Sequence, residues 1–178
     1  MSEISAVTAL LRSTLAEHEA ELRLWDCAVP EGADPELIPP GIPAGVAELL
    51  RASNGLYLSH STYLYRADQV LDRQFPEGLA EAPLPDGSPP DDPSRFFFFG
   101  EACLNPLLVD RDGTVWRVPD EGFVWFTGCR LEPIAESVDE FFRVWIASAR
   151  FRDLDGVDPD DPTDSHWLQL LRLSGLSA

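Results

Sequence analysis

The chain has 178 residues with 13 Lys+Arg against 31 Asp+Glu, so its formal net charge is 13 − 31 = −18. A hydrophobic fraction of 44%, with 5 Trp and 10 Phe, excludes wholesale disorder, while 16 Pro and 12 Gly predict several long connections. All 13 basic residues are arginines scattered singly from Arg12 to Arg172, and a domain this acidic without a cationic face is repelled by phosphate backbones and anionic lipid, which argues against direct nucleic-acid or membrane binding.

Ile4, Val7, Leu11, Leu15, His18, Leu22 and Trp25 recur at steps of three and four, which predicts a long amphipathic helix with His18 as a structural residue on its apolar stripe. Five prolines between Val29 and Pro43 make a connection. Pro43 then suits a first helical turn, Val46, Leu49 and Leu50 supply an apolar face, and Asn54-Gly55 offers the left-handed stop of a second helix. Leu56 to Leu64 reads as one or two strands, and Ala67 to Asp72 as a possible helical turn. Pro76 to Ser94 is acidic and proline-rich and predicts a mobile loop.

Four consecutive phenylalanines, Phe96 to Phe99, are apolar on both alternating faces and predict a central strand covered on each side. Leu107 to Asp110 and Thr114 to Val118 flank Arg111-Asp112-Gly113 as a hairpin, with Gly supplying positive φ. Phe123 to Phe126 and Cys129 to Ile134 read as further strands. Ser137 with Glu140 three residues later is a capping box opening a helix whose stripe is Val138, Phe141, Phe142, Trp145 and Ala149. An Asp-rich connection from Asp153 to Asp164 leads to a last helix carrying Trp167, Leu168 and Leu171. Together these elements predict one α+β domain over residues 1–178, an antiparallel sheet of about five or six strands packed with flanking helices.

Chemistry is sparse. The Asp-rich stretch fails the calcium-loop pattern, because Gly156 follows Asp155 at once and no Glu closes the loop. Cys103, His60 and Asp110 can be drawn as a thiol triad, but no nucleophile elbow or protease signature surrounds them. Scattered histidines and cysteines lack paired-ligand spacing, and no phosphate-loop or dinucleotide string occurs. The expectation is a protein that is not an enzyme and uses no metal or cofactor. The amino-terminal stretch lacks an export-signal pattern, no apolar run approaches a membrane span, and three cysteines without Cys-x-x-Cys spacing fit reduced thiols, so a cytoplasmic setting is expected.

Three stretches in order resemble the SMI1/KNR4 family, also called the SUKH superfamily: IPAGVAELLRASNG with LYRADQVLD after it, FFFFGEACLNPLLVDRDGTVWRV, and IAESVDEFFRVWI, spanning residues 42 to 146. The sequence departs from the family at Glu101-Ala102-Cys103-Leu104, where the family turn is rich in glycine; the 76–94 loop and the 151–178 extension lie outside the resemblance. The resemblance implies an α+β protein-binding module, and specifically an immunity protein that binds and neutralises a cognate bacterial toxin domain. A basic toxin such as a nuclease would be steered toward an acidic inhibitor. The alternative is an intracellular regulatory or scaffold module with no toxin partner. Candidate partner contacts are Tyr57, Tyr63, Glu101, Asp110, Asp112, Trp116, Asp120 and Glu121, with Trp116 equally readable as core.

Overall fold

Each strand of the sheet hydrogen-bonds to the one before it in the chain, so the six strands run antiparallel in the order β1 to β6. They are β1 (Leu56–Tyr57), β2 (Tyr63–Leu64), β3 (Phe97–Ala102), β4 (Asn105–Val109), β5 (Val115–Arg117) and β6 (Glu132–Ala135). A computed structural model of the chain describes residues 2–18, 26–119, 130–156 and 165–176. Flanking this sheet are α1 (Glu3–Glu17), α2 (Ala44–Ala52), α3 (Val138–Phe141, continued by a π turn over Phe142–Ile146), α4 (Phe151–Asp155) and α5 (His166–Leu173). The chain is therefore an α+β fold built on an antiparallel sheet. No helix among the described residues is long and apolar enough to cross a membrane.

Alternation along the strands sorts side chains into two apolar layers. Leu56, Leu64, Leu107, Val109 and Val115 face the helices, where Phe141, Phe142, Phe151 and Trp167 are buried. Each such large side chain removed from water contributes about 2–3 kcal/mol. Tyr65, Phe96, Phe98 and Leu108 face the other way and meet Val70, Leu79, Ala82, Val118 and Leu131. The phenylalanine run thus serves both layers, as its unbroken apolarity requires.

A β-bulge lies in β3: Phe98 pairs with Leu108 and Gly100 with Leu107, leaving Phe99 as the extra residue. Because a one-residue shift exchanges the faces, the bulge sends Glu101 to the side occupied by Tyr63 and Tyr65. Gly100 is required there, since a Cβ would lie 2.7 Å from both the Leu64 Cδ2 and the Tyr63 carbonyl oxygen.

The helices follow local chemistry. Ser2 caps α1 by accepting from the Ser5 N–H at 3.3 Å, and Ile4, Thr8, Leu11 and Thr14 form its buried face. Arg12 of α1 donates to the Ala52 carbonyl at 3.1 Å, placing a cation at the negative end of α2. The predicted continuation of α1 through Leu22 and Trp25 lies outside the described residues; His18 is its C-cap. Pro43 is the N-cap of α2 rather than its first helical residue. At α3, Ser137 Oγ accepts from the Glu140 N–H at 3.1 Å, but the Glu140 carboxylate reaches the Glu136 N–H at 2.7 Å instead of closing on Ser137.

One expectation stands and one needs correction. Over Ala67 to Asp72 the Val70 N–H donates to the Arg66 carbonyl at 2.9 Å, the single helical turn expected there, and the chain then reaches Gln74, whose side chain accepts from the Phe98 N–H at 2.9 Å and donates to the Phe98 carbonyl at 2.8 Å, as an added strand would. The 76–94 segment is irregular but packed: its 3-10 turn Pro76–Glu81 buries Leu79, Ala82 follows it into the second apolar layer, and Leu131 N–H donates to the Pro83 carbonyl at 2.8 Å. The strand predicted at 123–126 and the start at Cys129 lie outside the described residues.

Candidate binding face

The 76–94 segment covers the β3–β5 part of the second sheet face and leaves the β1–β2 end open. Cross-strand pairing sets a row there, Tyr57 opposite Tyr63 and Tyr63 opposite Glu101. The Tyr57 and Tyr63 rings stack with centroids 6.1 Å apart, and Tyr65 follows at 6.0 Å from Tyr63. Tyr65 donates its hydroxyl to Glu101 Oε1 at 2.8 Å. Burial first, and then the Glu101 carboxylate, pushes the Tyr63 phenol up to about 12 and raises that of Tyr65 as well, so both remain neutral donors. Glu101 therefore orders the aromatic row from within, while Tyr57 stays 44% exposed.

Beside this row is the turn that joins β3 to β4. Ala102 pairs with Asn105, so Cys103 and Leu104 alone make the turn, with φ of 49° and 63°. Positive φ at both central residues is the backbone sign of a type I′ hairpin turn, which ordinarily recruits Asn and Gly. For an L-residue the left-handed region costs about 1 kcal/mol or more each. The surroundings hold it: Leu104 N–H donates to the Ser61 carbonyl at 2.9 Å, and Cys103 N–H donates to Thr62 Oγ1 at 3.2 Å. Thr62 and Ser59 hydroxyls in turn donate to Asp155 Oδ1, Ser59 at 2.7 Å. The Leu104 side chain emerges 62% exposed.

Tyr57, Tyr63, Leu104, Arg66, Arg73 and His60 line an open groove of about 630 Å³. A smaller depression of about 170 Å³ adjoins it across Arg73 and Leu104 and is floored by Tyr65, Phe98 and Glu101. Arg73 sits over the Tyr65 ring at 5.8 Å, and Arg66 is paired with Asp68 at 3.0 Å.

The other predicted contacts lie at the far end of β4, roughly 13 Å along the strand from the residue opposite Glu101. Asp110 is only 4% exposed and accepts from Asp112 N–H and Thr114 N–H at 3.0 Å each, from Trp116 Nε1 at 2.9 Å and from Arg95 at 3.4 Å. Asp110 and Trp116 are thus turned inward and hold the β4–β5 turn, with the Trp116 ring edge-on to Phe96 at 5.8 Å. Asp112 is exposed beside them. Asp120 and Glu121 lie outside the described residues. Cys103, His60 and Asp110 do not form a triad, since Cys103 and Asp110 flank opposite ends of β4, about 16 Å apart at the usual strand rise.

Sequence reasoning missed Leu104 and Arg73. Leu104 carries no local signal, because its conformation is imposed by residues 59–62 and 155. Arg73 follows the turn and carries no local mark of the contact that sets it over the Tyr65 ring. With this geometry in hand, no protein-family model matches the chain, and no curated protein matches it.

Proposed function

We propose that the chain is a non-catalytic, cytoplasmic protein-binding module of the SMI1/KNR4 kind, an immunity protein that neutralises a toxin domain by occupying it stoichiometrically. The observation that carries this reading is the pair of exposed side chains Tyr57 and Leu104 beside the partly buried Tyr63, with Leu104 held outward on a left-handed backbone. Strain of this sort persists where the surrounding structure over-determines it, and it clusters at functional positions. An exposed Tyr with a neighbouring Arg matches the anchor composition of protein interfaces. The net charge of −18 supports fast association with a basic domain, an effect that declines as salt rises.

The test is co-expression with any toxin domain found encoded beside this gene. Growth rescue by the wild type, lost in Tyr57→Ala while the variant still folds, is the expected result. A chain that leaves every neighbouring toxin active would move the reading to a regulatory or scaffold module.

A further inference from the structure

We infer that Asp155 is the positioning residue of the binding face: its carboxylate latches the Cys103–Leu104 turn in its left-handed form, so that α4 governs whether Leu104 is presented. The inference rests on the reading of this face as a protein-binding surface and names the regulation of that surface. Three hydroxyls from the β1–β2 turn converge on the Asp155 Oδ1 oxygen, Ser59 at 2.7 Å, Ser61 at 3.5 Å and Thr62. Thr62 is the relay. A threonine hydroxyl has one proton, and here it is committed to the carboxylate, which fixes the oxygen as an acceptor toward the Cys103 N–H at 3.2 Å. Ser59 shapes the β1–β2 turn in the same way. With its proton given to Asp155, its oxygen accepts from the Ser61 N–H at 3.2 Å and the Thr62 N–H at 3.1 Å, and this sets the Ser61 carbonyl that receives the Leu104 N–H at 2.9 Å.

The latch is separable from the docking of α4. Phe151 and Leu154 anchor that helix in the helix-side apolar layer, whereas Asp155 is its last residue and Gly156 ends it with φ 63°. The helix end lies directly against the turn: the Cys103 thiol approaches the Leu154 carbonyl at 3.6 Å, and a Cβ on Gly156 would come within 3.3 Å of the Cys103 Sγ. Without the carboxylate, the buried Ser59 and Thr62 hydroxyls lose their acceptor, the Thr62 oxygen is no longer fixed toward Cys103, and two L-residues are released toward negative φ. Leu104 then leaves its place beside Tyr57 while the sheet and α4 stay where they are. A residue outside the stretch from 42 to 146 thus controls an exposed side chain within it.

Amide hydrogen exchange on the whole chain, read at residues 103 and 104, tests this directly. In Asp155→Ala, exchange there should rise at least about tenfold while Leu107 to Val109 of β4 keep wild-type protection. Thr62→Val removes the relay and keeps the carboxylate, and it should give the same local rise, so the test does not depend on one variant folding. The sharpest arm is Cys103→Gly combined with Leu104→Gly, a turn that suits positive φ unaided. In that background Asp155→Ala should alter exchange at 103 and 104 by less than about twofold, which a merely structural carboxylate would not do. Unchanged exchange in Asp155→Ala, an equal rise across β4, or the same rise in the glycine background would overturn the proposal. If exchange rises as expected but toxin binding is indifferent to Asp155, the reading of this face falls and the latch stands. If toxin rescue holds while exchange in Asp155→Ala is unchanged, only the latch falls.

Discussion

Strand β4 ends in two turns that solve the same problem by opposite means. At one end, Asp110 to Thr114 uses conventional turn chemistry: an aspartate whose carboxylate gathers two backbone N–H groups, and Gly113 at φ 95° where positive φ is needed. At the other, Cys103 and Leu104 take positive φ without glycine and are held by contacts from residues 59–62 and 155. The first turn is held mainly by its own aspartate, whose carboxylate is buried. The second is maintained from outside and presents an apolar side chain to solvent. A turn whose residues suit its backbone serves the fold, and a turn kept against its residues' preference points to a use for the side chain, which under the proposed function is contact with a partner.

Asp110→Ala should give the largest effect, since it strands the Trp116 indole N–H, two backbone N–H groups and the Arg95 guanidinium at once. A loss of about 3–4 kcal/mol in urea unfolding is expected, by analogy with removing one partner of a buried charged pair. A loss below about 1 kcal/mol would mean that this turn too is held from elsewhere. Gly100→Ala should follow at about 2–3 kcal/mol, because the new methyl meets the backbone oxygen of Tyr63 and overpacks the bulge.

Smaller at neutral pH is the contribution of the tyrosine row. The Tyr63 and Tyr65 phenols lose their protons less readily in the fold than in an unfolded chain, chiefly through burial. Their contribution is fully present below about pH 10, the unfolded phenol value; that of Tyr63 is lost as pH rises toward 12 and that of Tyr65 at still higher pH. In Tyr57→Phe, absorbance at 295 nm should therefore rise from Tyr63 only near pH 12, and Glu101→Gln should bring that rise to lower pH. An unchanged midpoint in the glutamine variant would show that burial alone sets it.

Legibility in the sequence follows how local each feature's cause is. The phenylalanine strand, the Asp-Gly hairpin and the Ser137 cap were readable because their determinants lie within a few residues of one another. The α1 stripe was readable as a helix, yet its buried face includes Thr8 and Thr14, whose hydroxyls donate to carbonyls one turn back and so tolerate burial. The 76–94 segment was read from its prolines and acids, which say nothing of Leu79 and Ala82 anchoring it to the sheet. At the candidate face, Tyr57, Tyr63 and Glu101 were named as contacts without being placed together; strand pairing that the bulge adjusts is what makes them neighbours, and no local signal carries it. Asp110 looked like a surface contact, and Trp116 was readable as contact or core, because a carboxylate and an indole in a hairpin carry no mark of the hydrogen bond between them. Leu104 was invisible, its backbone being decided about fifty residues away at Asp155.

The measurement that bears most directly on the central claim is Leu104→Gly alongside Leu104→Asn, each assayed for unfolding free energy and for binding to the toxin domain of the co-expression test. Glycine and asparagine suit the left-handed backbone, so stability should rise by about 0.5–1 kcal/mol in both while binding weakens about tenfold. Higher stability with undiminished binding would contradict the account, because the strained leucine would then have no part in recognition.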